Sequence, residues 1–397
     1  MVSNNSLLKD RNYIDKITEV INLELSNPTF ANPSLRWEYI KYKIRNETIT
    51  FSKHKARNQR QEEKDLLKII TRLESSYYGS NSPEILGELK DSRNRLNLLY
   101  ENKLAGIIIR SRAQWVESGE RNTKYFLNLE KRNKTNNVIH KLKTANDNVV
   151  TKNIHILSEL REFYANLYTS DNVNPTVIFG EGSIGNHTKL ESHEADCCDG
   201  PLTNIDCISA LKSLTNGKSP GSDGLSVDFY KHFWSIIGNC VVESLNYSND
   251  NVFLSAEQGR SIITLIPKPG KDKEYIKNYR PISLLNTDYK ICAKVLATRI
   301  QLVLSKIISP NQTGFLKNRF IGENVRFVLD LIDYYSNSNK TGLMFLVDFE
   351  KAFDSIEREF IYTSLQFFGF GDSFISWVKT ICSNNTGRII NNGHSSS

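Results

Sequence analysis

No two of the six cysteines in this 397-residue chain are spaced CxxC, and Cys197, Cys198, Cys207, Cys240, Cys292 and Cys382 show no disulfide-like pattern. That argues against a disulfide-stapled secreted domain, and an intracellular setting, cytoplasm and nucleus, is the expectation. Met1 to Ser6 contains no apolar signal core. No apolar run approaches the ~20 residues of a spanning helix, so no membrane partner is expected. The chain also lacks an internal repeat, a sustained heptad and a glycine loop of Walker spacing. What it does have is a modest basic excess: 51 Lys and Arg against 44 Asp and Glu, a net charge of +7. Such a balance suits a polyanionic partner, although many soluble proteins share it. The length allows two or three domains and a sizeable core.

Residues 1–150 read as a mostly helical, basic extension. Trp37, Ile40 and Ile44 fall on one helical face, and Leu66, Ile69, Ile70 and Leu73 repeat the i, i+3, i+4, i+7 pattern. Between them, the mixed-sign run from Lys53 to Lys64 reads as a solvated helix face. Further on, Leu104, Ile107, Ile108 and Trp115 can share a face, with Arg110 and Arg112 directed elsewhere. Gly119 breaks that helix, and Asn122 or Thr123 caps the next. Lys124, Lys131, Arg132 and Lys134 then flank Tyr125 and Phe126. Basic groups interleaved with aromatics suit a single nucleic-acid strand, through phosphate contact and stacking. A core role for the two rings is the equal alternative.

Residues 151–200 read as an amphipathic helix (Leu157, Leu160, Phe163, Leu167) and a flexible, Asn/Gly/Ser-rich connection. His187, His193, Cys197 and Cys198 lie there at spacings that fit no common zinc finger. From 201 onward, Thr203 caps a helix through Leu214, and a turn-rich loop runs from Asn216 to Gly224. A helix follows with Phe229, Phe233, Trp234, Ile237 and Val241 inward. A strand at 262–266 ends at Pro267, and helices are expected over 289–308 and 324–335. The apolar run Leu343 to Val347 reads as a strand delivering Asp348. Asp354 or Ser355 is then expected to cap a helix over 356–368, with Glu357 completing a box. In the 217–224 loop, the glycine N–H groups and Lys218 can contact a backbone phosphate; a plain turn reads equally well.

The order of these segments is more specific than any one of them. KSPGSDG, LIPKPGK, NYRPISLLNTDYKICAKVLATRI, QTGFLKNR and FLVDFEKAFDS follow one another in a way that resembles the reverse transcriptase of non-LTR (LINE-type) retrotransposons. RSRAQWVESGERNTKYFLNLEKRN resembles the region that precedes the polymerase in the same elements. The resemblance implies an α+β chain of right-hand polymerase type. It would comprise the helical extension (1–150), the helix and linker (151–200), and fingers with an incomplete palm (201–397).

The resemblance also implies roles. Asp348 would be the first catalytic carboxylate and a ligand of two Mg²⁺ ions, with the carbonyl of Phe349 beside it. Phe353 would lie under the sugar of the incoming dNTP and select against a 2′-OH. Arg280 would lie over the base and touch the phosphates, and Lys268 or Lys271 would meet the triphosphate. Lys218, Ser219 and Gly221 would follow the template backbone. The partners implied are an RNA template, a DNA primer or nicked target, and dNTPs; oligomeric state is not implied. The later RQG-type loop, the F/YADD turn, the primer grip and the thumb have no counterpart in 356–397, and Ile389 to His394 resembles the strand before the RQG loop. No endonuclease or RNase H region is read in the chain. The expectation is therefore a polymerase fragment, inactive alone. The alternative is a non-catalytic RNA- or DNA-binding remnant, or a non-functional pseudogene product.

Overall fold

Pro33 opens the longest element of the chain. The computed structural model describes residues 5–27, 30–111, 138–144, 146–170, 188–338 and 340–396. A short 3-10 turn (Asn5–Lys9) leads into α1 (Arg11–Leu25), whose first turn is capped by Asp10. Helix α2 (Pro33–Ser80) runs for 48 residues. Asn32 accepts from the amides of Ser34 and Leu35, and Pro33 needs no N–H partner at the first helical position. Asn81, left-handed at φ 52°, stops the helix, and α3 (Pro83–Ser111) returns along it. The hairpin closes on Ile70, Leu73 and Leu89, with Ile85 and Leu96 packed against them, and Leu66 is buried on the same face of α2. Ile69, expected on that face, is 39% exposed, because a two-helix contact covers a narrower stripe than a globular core does.

A short hairpin, β1 (Leu142–Lys143) with β2 (Val149–Val150), precedes α4 (Asn153–Tyr168). Helix α5 (Ser192–Asp196) follows, then α6 (Asn204–Ser213) and α7 (Val227–Asp250). Thr203 caps α6 as expected, in a reciprocal box with Asp206. Residues 188–201, expected in the flexible connection, are instead pinned: Leu190 N–H donates to Phe368 O at 2.9 Å, and Arg299 donates to Gly200 O and Pro201 O at 2.8 Å each. Polar composition there hid side-chain-to-backbone bonds that need no hydrophobic period.

Strand β3 (Arg260–Pro267) pairs antiparallel with β4 (Tyr279–Leu284) and parallel with β5 (Thr386–Asn391), which turns into β6 (His394–Ser395). Asn392 (φ 48°) and Gly393 (φ 77°) supply the two positive φ angles a tight hairpin requires. One face of this sheet closes a core with Leu142, Leu157, Leu160 and Tyr164, from Ile263, Leu265, Tyr279 and Ile389. Asn391 ties β5 to the same core, accepting from Ile139 N–H at 2.9 Å and donating to Ile139 O and Asn153 Oδ1.

The expected helix over 289–308 is two: α8 (Thr287–Gln301) and α9 (Leu304–Ile307), offset at Leu302 and Val303. After α10 (Gly322–Asn337) come α11 (Arg358–Phe367) and α12 (Asp372–Cys382). The main core gathers Trp37, Ile40, Ile44, Tyr230, Phe233, Ile237, Ile291, Val295, Phe374 and Trp377. The front of α2 is thus built into the same core as α6, α7, α8 and α12.

Two expectations near Asp348 are corrected. Residues 343–349 form no strand and pair with none among the described residues, and Phe345 and Leu346 are 81% and 85% exposed. An apolar run becomes a strand only where a partner supplies the ladder, and no described residue does so here. Helix α11 starts at Arg358 with no side-chain cap. Asp354 accepts from Tyr168 Oη at 3.1 Å instead, and Glu357 accepts from Ser170 Oγ at 2.6 Å.

Candidate nucleotide and template site

Gly221 sits where a side chain has no room. A Cβ there would lie 2.1 Å from Asn286 Oδ1 and 2.5 Å from Asn286 N. The 216–224 loop is therefore laid directly on the N-cap of α8. Asn286 Oδ1 accepts from Asp223 N–H at 3.2 Å, and its Nδ2 donates to Glu257 O at 2.6 Å. Thr287 Oγ1 donates to Leu225 O at 2.8 Å, and Gly217 N–H donates to Asp228 Oδ2 at 2.9 Å. Gly217 N–H is thus engaged within the protein, which favours the structural reading of that glycine. Lys218 stays exposed, and Ser219 O faces Lys290 Nζ at 3.5 Å.

Beneath the loop lies a buried ion cluster. Lys41 Nζ, on α2, is 2.9 Å from Asp288 Oδ2, 2.9 Å from Glu38 Oε1 and 4.0 Å from Asp223 Oδ2. Trp37 Nε1 donates to the same Asp288 oxygen at 3.0 Å. Burial alone would discharge Lys41, but the three carboxylates hold its ammonium well above the ordinary value. Asp223 has the opposite fate. Burial, with Asp288 and Glu38 adding repulsion, pushes its carboxyl from 3.8 to about 7 against the pull of Lys41. Its Oδ2 accepts no hydrogen bond. Asp288 stays low because Lys41, the Trp37 N–H and the Tyr289 amide outweigh its burial.

The sign for stability follows from linkage. Between its unfolded value and about 7, Asp223 holds a proton when folded and not when unfolded, so its contribution weakens as pH rises through that window. Asp288 acts in the opposite sense, losing its contribution only as pH falls through its depressed value. Denaturant titrations at pH 5 and pH 8 should therefore show a smaller fall in stability for Asp223→Asn than for the parent. An unchanged difference would show that Asp223 is not the group that titrates.

The uncovered face of the sheet carries the expected nucleotide contacts. Arg280 pairs with Ile266 and Ile282 with Thr264, while Ile262 lies between Leu284 and Arg388. Arg280 and Arg388 are both exposed on this face, flanking an apolar strip. Arg388 was not singled out in the sequence; its alternation with buried Ile389 was the available signal. Lys268 and Lys271 sit on the turn after β3. Lys268 Nζ donates to Lys277 O at 3.0 Å, whereas Lys271 is exposed at the turn. Of these two lysines, Lys271 is the more exposed.

Asp348 and Phe349 are exposed, and Phe353 packs edge-on against Phe315 with centroids 5.4 Å apart. Among the described residues no group of three or more His, Cys, Asp or Glu side chains is placed to hold a metal ion. Mg²⁺ asks for six oxygens in near-octahedral order. Asp348 and the Phe349 carbonyl alone do not make such a centre. Arg112, Lys124, Lys131, Arg132 and Lys134 lie outside the described residues; Arg110 falls in α3, its side chain outside them. No described helix is long and apolar enough to cross a membrane.

Comparison with known proteins bears on this arrangement. Residues 266–396 match the family described as reverse transcriptase (RNA-dependent DNA polymerase). The chain is 27% identical over 379 residues to the transposon TX1 uncharacterized 149 kDa protein of Xenopus laevis, covering 95% of this chain and 29% of that protein. It is 26% identical over 166 residues to the probable RNA-directed DNA polymerase from transposon BS of Drosophila melanogaster, covering 39% and 17%. The probable RNA-directed DNA polymerase from the X-element of the same fly is 33% identical over 182 residues, covering 43% and 19%. The chain spans less than a third of the length of these curated relatives. Motif order, the family match over residues 266–396 and the relatives agree in a similarity to reverse transcriptases of the non-LTR retrotransposon type.

Proposed function

We propose that the chain forms the fingers and the opening of the palm of an RNA-directed DNA polymerase, and that residues 1–397 do not copy RNA by themselves. The observation that carries the first part is the open sheet face. Arg280 and Arg388 stand at either side of an apolar strip inside the family-matched segment, with Lys271 at the adjoining turn. Guanidinium groups beside an apolar surface suit phosphates and stacked bases together. Lys218 and the backbone of the pinned 216–224 loop extend that surface toward a template strand. Phe353 is the candidate sugar gate, and Asp348 with the Phe349 carbonyl are the candidate Mg²⁺ ligands, which would supply the charge that holds triphosphate and primer end.

The second part is supported by what stays uncovered. Helix α10 buries none of its residues, with Phe327 64% and Val325 58% exposed, and the 343–349 segment is open as well. Contiguous apolar surface of this kind is what a further layer of structure normally covers. Such a protein would act inside the cell on an RNA template, a DNA primer at a nicked target, and dNTPs.

The experiment is equilibrium binding of residues 1–397 to a DNA primer annealed on RNA. Arg280→Ala with Arg388→Ala should weaken binding at least about tenfold, the scale of losing one charged hydrogen bond. Arg326→Ala, an exposed arginine paired with Asp330 at 2.8 Å on α10, should leave it unchanged. Parent-like affinity in the sheet variant would remove the sheet face from the reading.

A further inference from the structure

The mixed-sign run on α2 is sorted by the fold. Of the acidic residues between Gln61 and Ser75, three turn toward α3: Glu62 faces Arg95 at 3.8 Å, Glu74 faces Arg93 at 2.6 Å, and Glu63 pairs with Lys103. The fourth, Asp65, is held by Gln61 Nε2 at 3.0 Å. Five of the bases go the other way, while Lys55 pairs with Asp10. Lys53, Arg57, Arg60, Lys64 and Lys68 step by four, three, four and four residues, which at 100° per residue keeps them within an arc of about 80°. That arc lies roughly opposite the buried face of α2 that carries Leu66, Ile70 and Leu73. All five are exposed, and none has a carboxylate within salt-bridge distance among the described residues. Four of them line one shallow groove with Ala56 and Gln61.

We propose that this row is a binding track for the phosphate backbone of single-stranded RNA. The inference rests on the reading that the chain works on an RNA template, and adds a contact outside the fingers. A solvated face gains from alternating charge, since opposite signs at i, i+4 stabilise an exposed helix and like signs weaken it. Here like charges are aligned along four turns and the neutralising partners are given to α3, an arrangement that a polyanion would relieve. The row is one side chain wide, which fits one backbone rather than the two strands edging a groove. Lys53 to Lys68 spans about 22 Å at 1.5 Å per residue. A stacked strand carries about one phosphate per 3.4 Å, so the row faces about six phosphates with five cations. It begins about 12 Å beyond Arg45 at that same rise, and Arg45 reaches Ser222 O of the 216–224 loop at 3.5 Å. The same helix that anchors the loop would thus carry the strand away from it.

The test is the salt dependence of binding of a 20-nucleotide unstructured RNA to residues 1–397. The triple variant Arg57→Gln, Arg60→Gln, Lys64→Gln keeps good helix formers. It is compared with Lys9→Gln, Lys152→Gln, Lys212→Gln, which removes the same charge from other elements. At about −0.7 per contact, the α2 variant should flatten the slope of log affinity against log salt by about 2, and the control by far less. Equal slopes in the two variants would overturn the track while leaving RNA binding elsewhere intact. Tighter binding of duplex DNA than of the RNA, with the same loss in the α2 variant, would overturn the single-strand assignment. Absence of any RNA binding by the parent at low salt would overturn both the track and the template reading.

Discussion

Lys41→Met is expected to cost about 3–5 kcal/mol of stability, the range for removing one partner of a buried ion pair. Lys41 is 3% exposed in its side chain and Asp288 0%, so no water replaces the lost ammonium. Asp288, Glu38 and Asp223 would be left facing one another, and each could stay buried only by taking a proton. The fall in melting temperature should be roughly 10 °C, given ~2–4 °C per kcal/mol for a chain of this size or somewhat smaller. Lys43→Met serves as the control, because the Lys43 side chain is 39% exposed beside Glu24 and such a pair contributes about 1 kcal/mol or less. A loss in Lys41→Met no larger than in Lys43→Met would show that the cluster does not hold α2 to the 216–224 loop and α8.

Two glycine-to-alanine substitutions should have opposite signs. Gly79 lies in α2 with nothing within 4 Å of the added carbon, so Gly79→Ala should stabilise by up to about 1 kcal/mol through helix propensity. Gly221→Ala meets Asn286 Oδ1 at 2.1 Å, Asn286 N at 2.5 Å and the Leu285 carbonyl carbon at 2.6 Å. Two of those three atoms are backbone at a helix start, which cannot rotate away. Overpacking of this sort costs about 1–3 kcal/mol, and displacement of Asp223 from Lys41 should bring the loss to the top of that range. Calorimetry of both variants decides the matter. A neutral Gly221→Ala would mean that the loop stands off α8 in solution.

The helices that bury one clean stripe were legible in the sequence. Trp37, Ile40 and Ile44 are buried as their spacing foretold, and the α7 set from Phe229 to Val241 likewise. Thr203 and the 262–266 strand were also legible, since a cap box and a β-branched run are local signals. Long-range pairing was not. The β4 segment reads as Tyr-Arg-Pro-Ile-Ser-Leu, and its proline at 281 and polar residues hide a strand whose identity comes from its ladder with β3. The run at 343–347 makes the converse point: it has strand composition and no ladder. Lys41 carried a signal that went unused, a lysine inside the apolar stripe of Trp37, Ile40 and Ile44, which has to find a buried anion. Nothing local to Asp223 or Asp288 says that they are that anion, because they lie 182 and 247 residues from Lys41, taking 223−41 and 288−41.

The most direct test of the whole account is primer extension by purified residues 1–397 on an RNA template with Mg²⁺ or Mn²⁺, run beside a binding measurement on the same preparation. One carboxylate cannot anchor two divalent ions that each demand several oxygens. The primer–template is expected to be bound, more weakly in the Arg280→Ala, Arg388→Ala variant, and not to be extended. Processive synthesis that Asp348→Asn abolishes would contradict this expectation.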